Sequence, residues 1–312
     1  MFTVLASLSH NADFEISKSN IVCRAATGVI LFMAMCGFGS AADPSSESTV
    51  HELTTPDGTR FAILGDKPTA PAPTLLVFGG DQKGTLLGED VNRIGRLLAP
   101  HGFLSVSLDI PCHGADARPG EQAGLTGWRD RIVKGEHIFD EFAGRVSKAL
   151  DYLIAEKYTD PEQIVISGTS RGGFCAFHAA AADERIRYVL AFAPVTHLPV
   201  LTEFEGAREH SDVLALSPIH FADKLANRTI WMVIGNDDER VGTDDCIALT
   251  QAILKHAKRS PNPIPVELHV LATIDHRLHA MRKPEYKQWT SPHDDAAAWL
   301  LAVMAPSSEP AH

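Results

Sequence analysis

The chain alternates between short apolar runs and longer amphipathic stretches. Residues 49–54 and 60–64 flank a Pro-Asp-Gly turn at Pro56, which predicts an antiparallel hairpin. Later apolar runs rich in β-branched residues predict strands at residues 74–78, 102–108, 163–169, 187–192, 229–234 and 265–270. Apolar residues at helical spacing predict helices at residues 92–99, 137–157, 245–256 and 293–303, and an alanine-rich helix follows residue 170. Residues 115–131 are predicted to be mainly loop, and residues 193–225 irregular.

Strands that alternate with helices pair in parallel, because each helix returns the chain to the starting edge of the sheet. The pattern therefore predicts an α/β fold with a mostly parallel central sheet of about eight strands and helices on both faces. The chain has 312 residues, of which 45% are apolar and 21% charged, so it can bury one large core.

The first 42 residues have the pattern of an export signal. Lys18 and Arg24 precede an apolar run at residues 25–38, and small residues up to Ala42 precede a polar segment. We expect cleavage after Ala42, a linker at residues 43–49, one folded domain at residues 50–304 and a disordered tail at residues 305–312. The apolar run is shorter than the roughly 20 residues that span a bilayer. The expected location is secreted or periplasmic, and the alternative for this segment is a tethering helix that stays attached.

Composition excludes several classes of partner and cofactor. The formal net charge is −11 and the isoelectric point about 5.7, with no basic run, so we expect no nucleic-acid partner. We expect no membrane contact beyond an uncleaved signal segment. Cleavage after Ala42 would leave Cys112, Cys175 and Cys246, which allow at most one disulfide, and Cys175 is expected to be a small buried residue. No Cys/His pair has zinc-ligand spacing, so no metal is predicted.

The chemistry centres on Gly168-Thr-Ser-Arg-Gly172, where a predicted strand runs into a predicted helix. A serine held at such a sharp turn needs glycines two residues before and after it, because side chains there would collide. Ser170 is therefore the predicted nucleophile. The alternative is a glycine-rich turn without chemistry.

A nucleophilic serine needs a general base, and the base needs a carboxylate that fixes its tautomer. The acid is expected directly after the strand at 229–234, where Asp238 is the candidate and Asp237 its rival. His276 follows the last predicted strand and is the candidate base. His269 and His279 are interpreted as ordinary core or surface histidines.

Acyl transfer also requires two N–H donors for the oxyanion that forms on the substrate. One is expected to be the backbone N–H of Arg171, directly after the nucleophile. The other is expected in the loop after the strand at 74–78, where Gly79 and Gly80 let the backbone approach a substrate closely.

Four features occur in one order: the elbow's Gly-x-Ser-x-Gly-Gly, the Gly79-Gly80 loop, Gly-x-x-Asp-x-x-Val at residues 235–241, and Asp275-His276. Together they resemble the α/β-hydrolase superfamily, nearest the dienelactone hydrolases and the catalytic domains of prolyl oligopeptidases. The resemblance covers about residues 50–303 and implies an α/β-hydrolase fold with Ser170, Asp238 and His276 as a catalytic triad.

This chain departs from its nearest relatives in three ways. Prolyl oligopeptidases carry a propeller domain, for which no room is expected before residue 50. Dienelactone hydrolases use a cysteine nucleophile, whereas this chain has Ser170. The Arg-Gly-Gln and His-Glu motifs of the related acetylxylan and cephalosporin deacetylases do not occur here.

The sequence predicts a serine hydrolase that cleaves a carboxylic ester through an acyl-enzyme, without a metal or organic cofactor. A serine peptidase of the prolyl-oligopeptidase type is the first alternative, since ester and amide cleavage use the same triad. A catalytically inactive hydrolase fold that binds a ligand is the second, because a fold does not determine function. The expected partner is a small ester or a short peptide.

Overall fold

Eight strands form the central sheet of the computed structural model, which describes residues 49–258, 264–272 and 291–305. The strands are β1 (Val50–Thr54), β2 (Arg60–Leu64), β3 (Ala72–Phe78), β4 (Leu104–Ser107), β5 (Thr159–Thr169), β6 (Ile186–Phe192), β7 (Thr229–Gly235) and β8 (Val266–Leu271). Their order is β1-β2-β4-β3-β5-β6-β7-β8. The strands β1 and β2 form the predicted antiparallel hairpin, β2 also pairs antiparallel with β4, and every other pair is parallel. The prediction of a mostly parallel sheet of eight strands is confirmed.

Helices cover both faces of this sheet. They are α1 (Gln82–Leu87), α2 (Arg93–Leu98), α3 (Gly124–Val133), α4 (Ile138–Ala155), α5 (Arg171–Ala182), α6 (Ser211–Ala215), α7 (Ala222–Leu225), α8 (Thr243–Ala257) and α9 (Pro292–Met304). Short 3-10 helices lie at Ala99–His101, Gly114–Asp116, Leu198–Val200, Thr202–Ala207 and Pro218–Phe221. The buried residues of α3, α4, α5 and α8 belong to one apolar cluster, and those of α1, α2 and α9 belong to a second.

The inner strands are apolar on both sides because each side faces helices. Along β3, Leu76 and Phe78 join the first cluster, whereas Leu75 and Val77 join the second. The alternation follows from the two-residue period of a strand. It explains why these strands appear in the sequence as continuous apolar runs.

The prediction of a loop over residues 115–131 was wrong for its second half, which forms α3. Gly124, with a positive φ of 68°, starts this helix. Gly127 marks close packing, since a Cβ there would overlap the Gln122 carbonyl and stand 3.0 Å from Cys112. The three cysteines Cys112, Cys175 and Cys246 are buried and unpaired. The region predicted as irregular contains α6, α7 and three of the 3-10 helices.

The topology places a crevice at the carboxyl ends of β3 and β5. The chain passes from β3 to β4 on one side, whereas β5 and the later strands extend the sheet on the other side. Open α/β sheets bind their ligands at such a switch point. Both the Gly79-Gly80 loop and Ser170 directly follow these two strands.

Several predictions fall outside the described residues. These are the signal segment 1–42, the linker up to residue 48, the tail from residue 306, and both His276 and His279. Within the described ranges, no helix is long and apolar enough to cross a membrane.

Candidate active site

Ser170 stands in a strained backbone conformation between β5 and α5. Its φ of 54° and ψ of −117° lie outside the regions that L-residues normally adopt. The Ser170 N–H donates to the Phe192 carbonyl at 2.9 Å, and the Ser170 carbonyl accepts from the N–H groups of Gly173 and Val195, both at 3.0 Å. Such a strained conformation persists only where the surrounding structure holds it, as these three bonds do.

Three glycines make this turn sterically possible. A Cβ on Gly168 would overlap the backbone of Gly172, and a Cβ on Gly172 would overlap the Phe78 carbonyl at the end of β3. A Cβ on Gly173 would stand 2.7 Å from the Cβ of Pro194. The pattern of glycines around Ser170 is therefore required by contacts with backbone and with a rigid proline ring.

The Ser170 hydroxyl is left available for chemistry. Ser170 occupies the N-cap position of α5, where a serine side chain normally accepts an N–H from the first helical turn. Here it makes no capping hydrogen bond. Ser170 is half-buried. A hydroxyl that caps no N–H group of α5 is thus placed at the carboxyl end of β5, the strand next to β3.

Asp238 lies in the loop after β7 and is only 3% exposed, whereas Asp237 is exposed. Asp238 Oδ1 accepts the backbone N–H groups of Arg240 at 3.0 Å and Val241 at 3.1 Å. The Asp238 N–H donates to Thr243 Oγ1 at 2.9 Å. These bonds fix the carboxylate of Asp238, and its burial distinguishes it from the exposed Asp237. The candidate base His276 lies outside the described residues, so its distance to either partner is not described.

The loop from Gly79 to Gln82 has almost all of its backbone groups bonded. The Gly79 carbonyl accepts from Arg171 Nε at 2.8 Å, and the Gly80 N–H donates to Thr85 Oγ1 at 3.2 Å. The Gly80 carbonyl accepts from the Ile110 N–H at 3.1 Å. The Asp81 carbonyl accepts from the Thr85 N–H at 2.9 Å, and the Gln82 N–H donates to Asp109 Oδ1 at 2.8 Å. Among the described residues, the N–H groups of Asp81 and Arg171 make no hydrogen bond.

Peptide geometry tells where the Asp81 N–H points. All described peptides are trans, so the carbonyl and N–H of one peptide point in opposite directions. The Gly80 carbonyl points toward Ile110 on the β4 side of β3, so the Asp81 N–H points away from that side, on which β5 does not lie. By the same geometry, the Gly79 N–H points away from the elbow, since the Phe78 carbonyl faces Gly172.

Two residues of the loop after β4 support this arrangement and were not singled out from the sequence. Asp109 is 8% exposed and bonds two segments, because its Oδ1 accepts from Gln82 and its Oδ2 accepts the Ala115 N–H at 2.9 Å. His113 Nδ1 lies 2.8 Å from the Pro111 carbonyl, and the ring lies beside Gly80. Burial lowers the pKa of His113 below its usual value, which favours the neutral ring. Their position at the end of an inner strand is the signal that could have identified them.

The Arg171 side chain lies across the top of the Gly79-Gly80 loop. Its Nε donates to Gly79, and an Nη2 atom lies 3.8 Å from the position that a Cβ of Gly80 would take. Burial lowers the pKa of the Arg171 guanidinium, which nevertheless stays charged. A second arginine, Arg240, forms an ion pair with Glu203 at 2.7 Å. The charges of Arg240 and Glu203 both reach Arg171, and they oppose each other there.

Comparison with known proteins identifies a family and proteins of similar fold. A model described as the prolyl oligopeptidase family matches residues 128–307, more than half of the chain. The fold is similar to dipeptidyl peptidase 4 of Porphyromonas gingivalis, with a TM-score of 0.57 and 15% identity over 82% of this chain. It is also similar to the acetyl xylan esterase of Paenibacillus sp. R4, with a TM-score of 0.56 and 18% identity. That match covers 84% of this chain and 86% of the esterase, whereas this chain spans about a third (35%) of the peptidase.

Proposed function

The chain belongs to the prolyl oligopeptidase family and is a serine hydrolase, and from that premise we propose that it cleaves a carboxylic ester with Ser170 as its nucleophile. One observation carries the proposal. The Ser170 hydroxyl is uncapped at a strained elbow, and the unbonded N–H groups of Arg171 and Asp81 flank the same crevice. This arrangement suits acyl transfer, which needs a nucleophile and an oxyanion site within reach of one carbonyl.

In the proposed mechanism, the Ser170 hydroxyl attacks the ester carbonyl while His276 takes its proton. Asp238 holds the imidazole in the tautomer that accepts this proton and stabilises the imidazolium that forms. The imidazolium then protonates the departing alcohol, which leaves an acyl group on Ser170. Water, deprotonated by His276, attacks the acyl-enzyme and releases the acid. The burial of Asp238 and its two backbone bonds support its role over that of Asp237.

We further propose that the N–H groups of Arg171 and Asp81 form the oxyanion hole. The Arg171 N–H was expected from the sequence, and Asp81 replaces the donors expected there, Gly79 and Gly80. The Gly80 N–H is used by Thr85, and the Gly79 N–H points away from the elbow. Loss of a donor of this kind typically costs about 10² to 10³ in rate.

A peptide substrate is the second candidate, favoured by the match to the prolyl oligopeptidase family. Among proteins of similar fold, the name of one peptidase points to a peptide and the name of one esterase to an ester. The same triad would serve both reactions, since the chemistry differs in the leaving group.

The experiment compares turnover of para-nitrophenyl acetate with that of an Ala-Pro para-nitroanilide. We expect ester turnover by the native protein and a loss of at least about 10³ in kcat for Ser170→Ala, with an unchanged melting temperature. Wild-type turnover by Ser170→Ala would contradict the assignment of the nucleophile. A kcat/KM that is higher for the anilide than for the ester would select the peptide alternative.

We also propose that the protein is exported, on the pattern of residues 1–42 alone. Mass spectrometry of the protein recovered from its native host tests this. The proposal requires a mature chain that begins at Asp43, and a mature chain that retains the apolar run at residues 25–38 would contradict it.

A further inference from the structure

The Arg171 guanidinium is a half-buried cation beside the nucleophile that forms no ion pair with any described carboxylate. Within the part of the chain that the structure describes, its one hydrogen bond runs from Nε to the Gly79 carbonyl, at 2.8 Å. Withdrawing a guanidinium from water is costly unless charge or hydrogen bonds compensate it. A single neutral carbonyl satisfies one of its five N–H groups.

Neighbouring carboxylates do not supply that compensation. Glu203 is the acidic residue whose charge reaches Arg171, but it accepts two bonds from Arg240, at 2.7 and 2.8 Å. Arg240 itself adds a further positive charge near Arg171. The buried Arg131 meets Asp116 and Glu121 directly, at 2.8 and 2.9 Å, whereas the buried Arg228, like Arg171, has one Nε hydrogen bond to a carbonyl, that of Ala180 at 3.2 Å. Arg171 differs from both of these arginines in its place, because it directly follows Ser170.

The free part of Arg171 lies beside Gly80, in the loop that follows β3. Nε holds the Gly79 carbonyl, so both Nη groups are left for another acceptor. Gly80 has no side chain to fill the space beside Nη2, and the Arg171 N–H is one of the two proposed oxyanion donors. A paired set of N–H groups in a planar fork matches a carboxylate in two parallel bonds.

We propose that Arg171 determines specificity by binding a carboxylate of the substrate, so that the enzyme acts on esters whose acyl or alcohol part carries an anionic group. The inference rests on the proposed function, since Arg171 can select a substrate only if Ser170 acylates it. The charge must lie within a few atoms of the scissile carbonyl, because Arg171 directly follows the nucleophile.

The test uses two pairs of matched esters. On the acyl side, mono-para-nitrophenyl adipate is compared with its methyl ester, which lacks the negative charge. On the alcohol side, para-acetoxybenzoate is compared with its methyl ester. The quantity measured is the ratio of kcat/KM for the anionic ester to that for its neutral partner, in the native protein, Arg171→Gln, Arg171→Lys and the control Arg240→Gln.

In one of the two pairs, we expect the native protein to prefer the anionic ester. Arg171→Gln should lower the ratio about tenfold to a hundredfold, the loss expected for a charge-assisted hydrogen bond. Arg171→Lys keeps the charge without the fork and should retain part of the preference, whereas Arg240→Gln should change the ratio less than about threefold, because its charge is already paired. The pair that responds identifies which side of the ester carries the anion.

The ratio separates this role from a structural one. If Arg171 only holds Gly79, Arg171→Gln lowers kcat/KM equally for both members of a pair and leaves the ratio unchanged, which would overturn the inference. Turnover of all four esters without an anionic preference in the native protein would also overturn it, while the proposed function stands. No turnover of any of the four would overturn the proposed function, and this inference with it.

Discussion

Replacing Asp109 by alanine tests whether the backbone N–H of Asp81 is the oxyanion donor that we propose. Asp109 does not contact the substrate site directly. Its Oδ1 holds the Gln82 N–H at 2.8 Å, and so fixes the peptide that follows Asp81. Its Oδ2 accepts the Ala115 N–H at 2.9 Å, which fixes Asp109 within the loop after β4. Without the carboxylate, the Asp81 N–H loses one of the bonds that orient it.

The magnitude has a stability part and a catalytic part. Hydrogen bonds to a charged group are worth about 1.5–3 kcal/mol each, so losing two should lower the free energy of unfolding by about 3 kcal/mol or more. The catalytic part approaches the loss of one oxyanion donor, about 10² to 10³ in kcat. KM should change little, because the oxyanion forms after the substrate binds.

Asp116→Ala is the matched control. Asp116 belongs to the same loop, accepts the Cys112 N–H at 2.7 Å and binds Arg131 and Arg145 at 2.8 and 3.2 Å, but it makes no bond to residues 79–82. Asp116→Ala should lower the free energy of unfolding by a comparable amount and leave kcat within about threefold of the native value.

The assay is kcat on para-nitrophenyl acetate per active site, with active sites counted by fluorophosphonate titration. Counting active sites removes the contribution of unfolded protein, so the comparison reports on the folded site alone. A native kcat per site in Asp109→Ala, or an equal loss in Asp116→Ala, would refute the reasoning that the Asp81 N–H is an oxyanion donor.

Three further results follow from the structure. Asp238→Asn should lose about 10⁴ in kcat because the imidazole takes the wrong tautomer, whereas Asp237→Asn should lose less than about tenfold; the reverse ranking in steady-state assays would move the acid to Asp237. Gly172→Ala should lower the free energy of unfolding in urea by about 3 kcal/mol, since its Cβ would overlap the Phe78 carbonyl. Gly144→Ala on the exposed face of α4 should leave that free energy unchanged or raise it, and equal effects of the two substitutions would contradict the packing argument. Burial lowers the pKa of His178 from 6.5 to about 4, so the unfolded chain binds more protons than the folded one between these values. The free energy of unfolding therefore decreases as the pH is lowered through that window. When the pH is lowered from 7 to 5, the free energy of unfolding of His178→Phe should therefore decrease by on the order of 2 kcal/mol less than that of the native protein. An equal decrease in the two proteins would rule this out.

The sequence was sufficient to predict the strands and those site residues whose chemical role also restricts the local backbone. The glycines around Ser170 can be recognised in the sequence because each prevents an overlap within a few residues of the elbow or at the adjacent strand end. Asp238 was preferred over Asp237 from spacing, and its burial after β7 agrees with that choice. The strands were found because both sides of the inner strands are apolar.

The second oxyanion donor could not be identified in this way. Gly79 and Gly80 were predicted because glycine lets the backbone approach a substrate closely, but the direction of a backbone N–H depends on which distant group donates to the neighbouring carbonyl. Here the Ile110 N–H donates to the Gly80 carbonyl, and the donor that we propose is therefore Asp81, a residue whose side chain does not indicate this role. The helix α3 was missed for a related reason, since Gly124 and Gly127 were interpreted as loop residues although Gly127 serves close packing against Cys112.

The most direct test of the central claim is to locate the residue that a fluorophosphonate probe modifies on the folded protein. Peptide mass spectrometry should find one adduct per chain, on Ser170. It should find no adduct when the protein is unfolded before the probe is added, and none in Ser170→Ala. His276→Ala should react far more slowly, since the hydroxyl then lacks its base. An adduct on any other residue, or an active protein that the probe leaves unmodified, would contradict the assignment of Ser170 as the nucleophile.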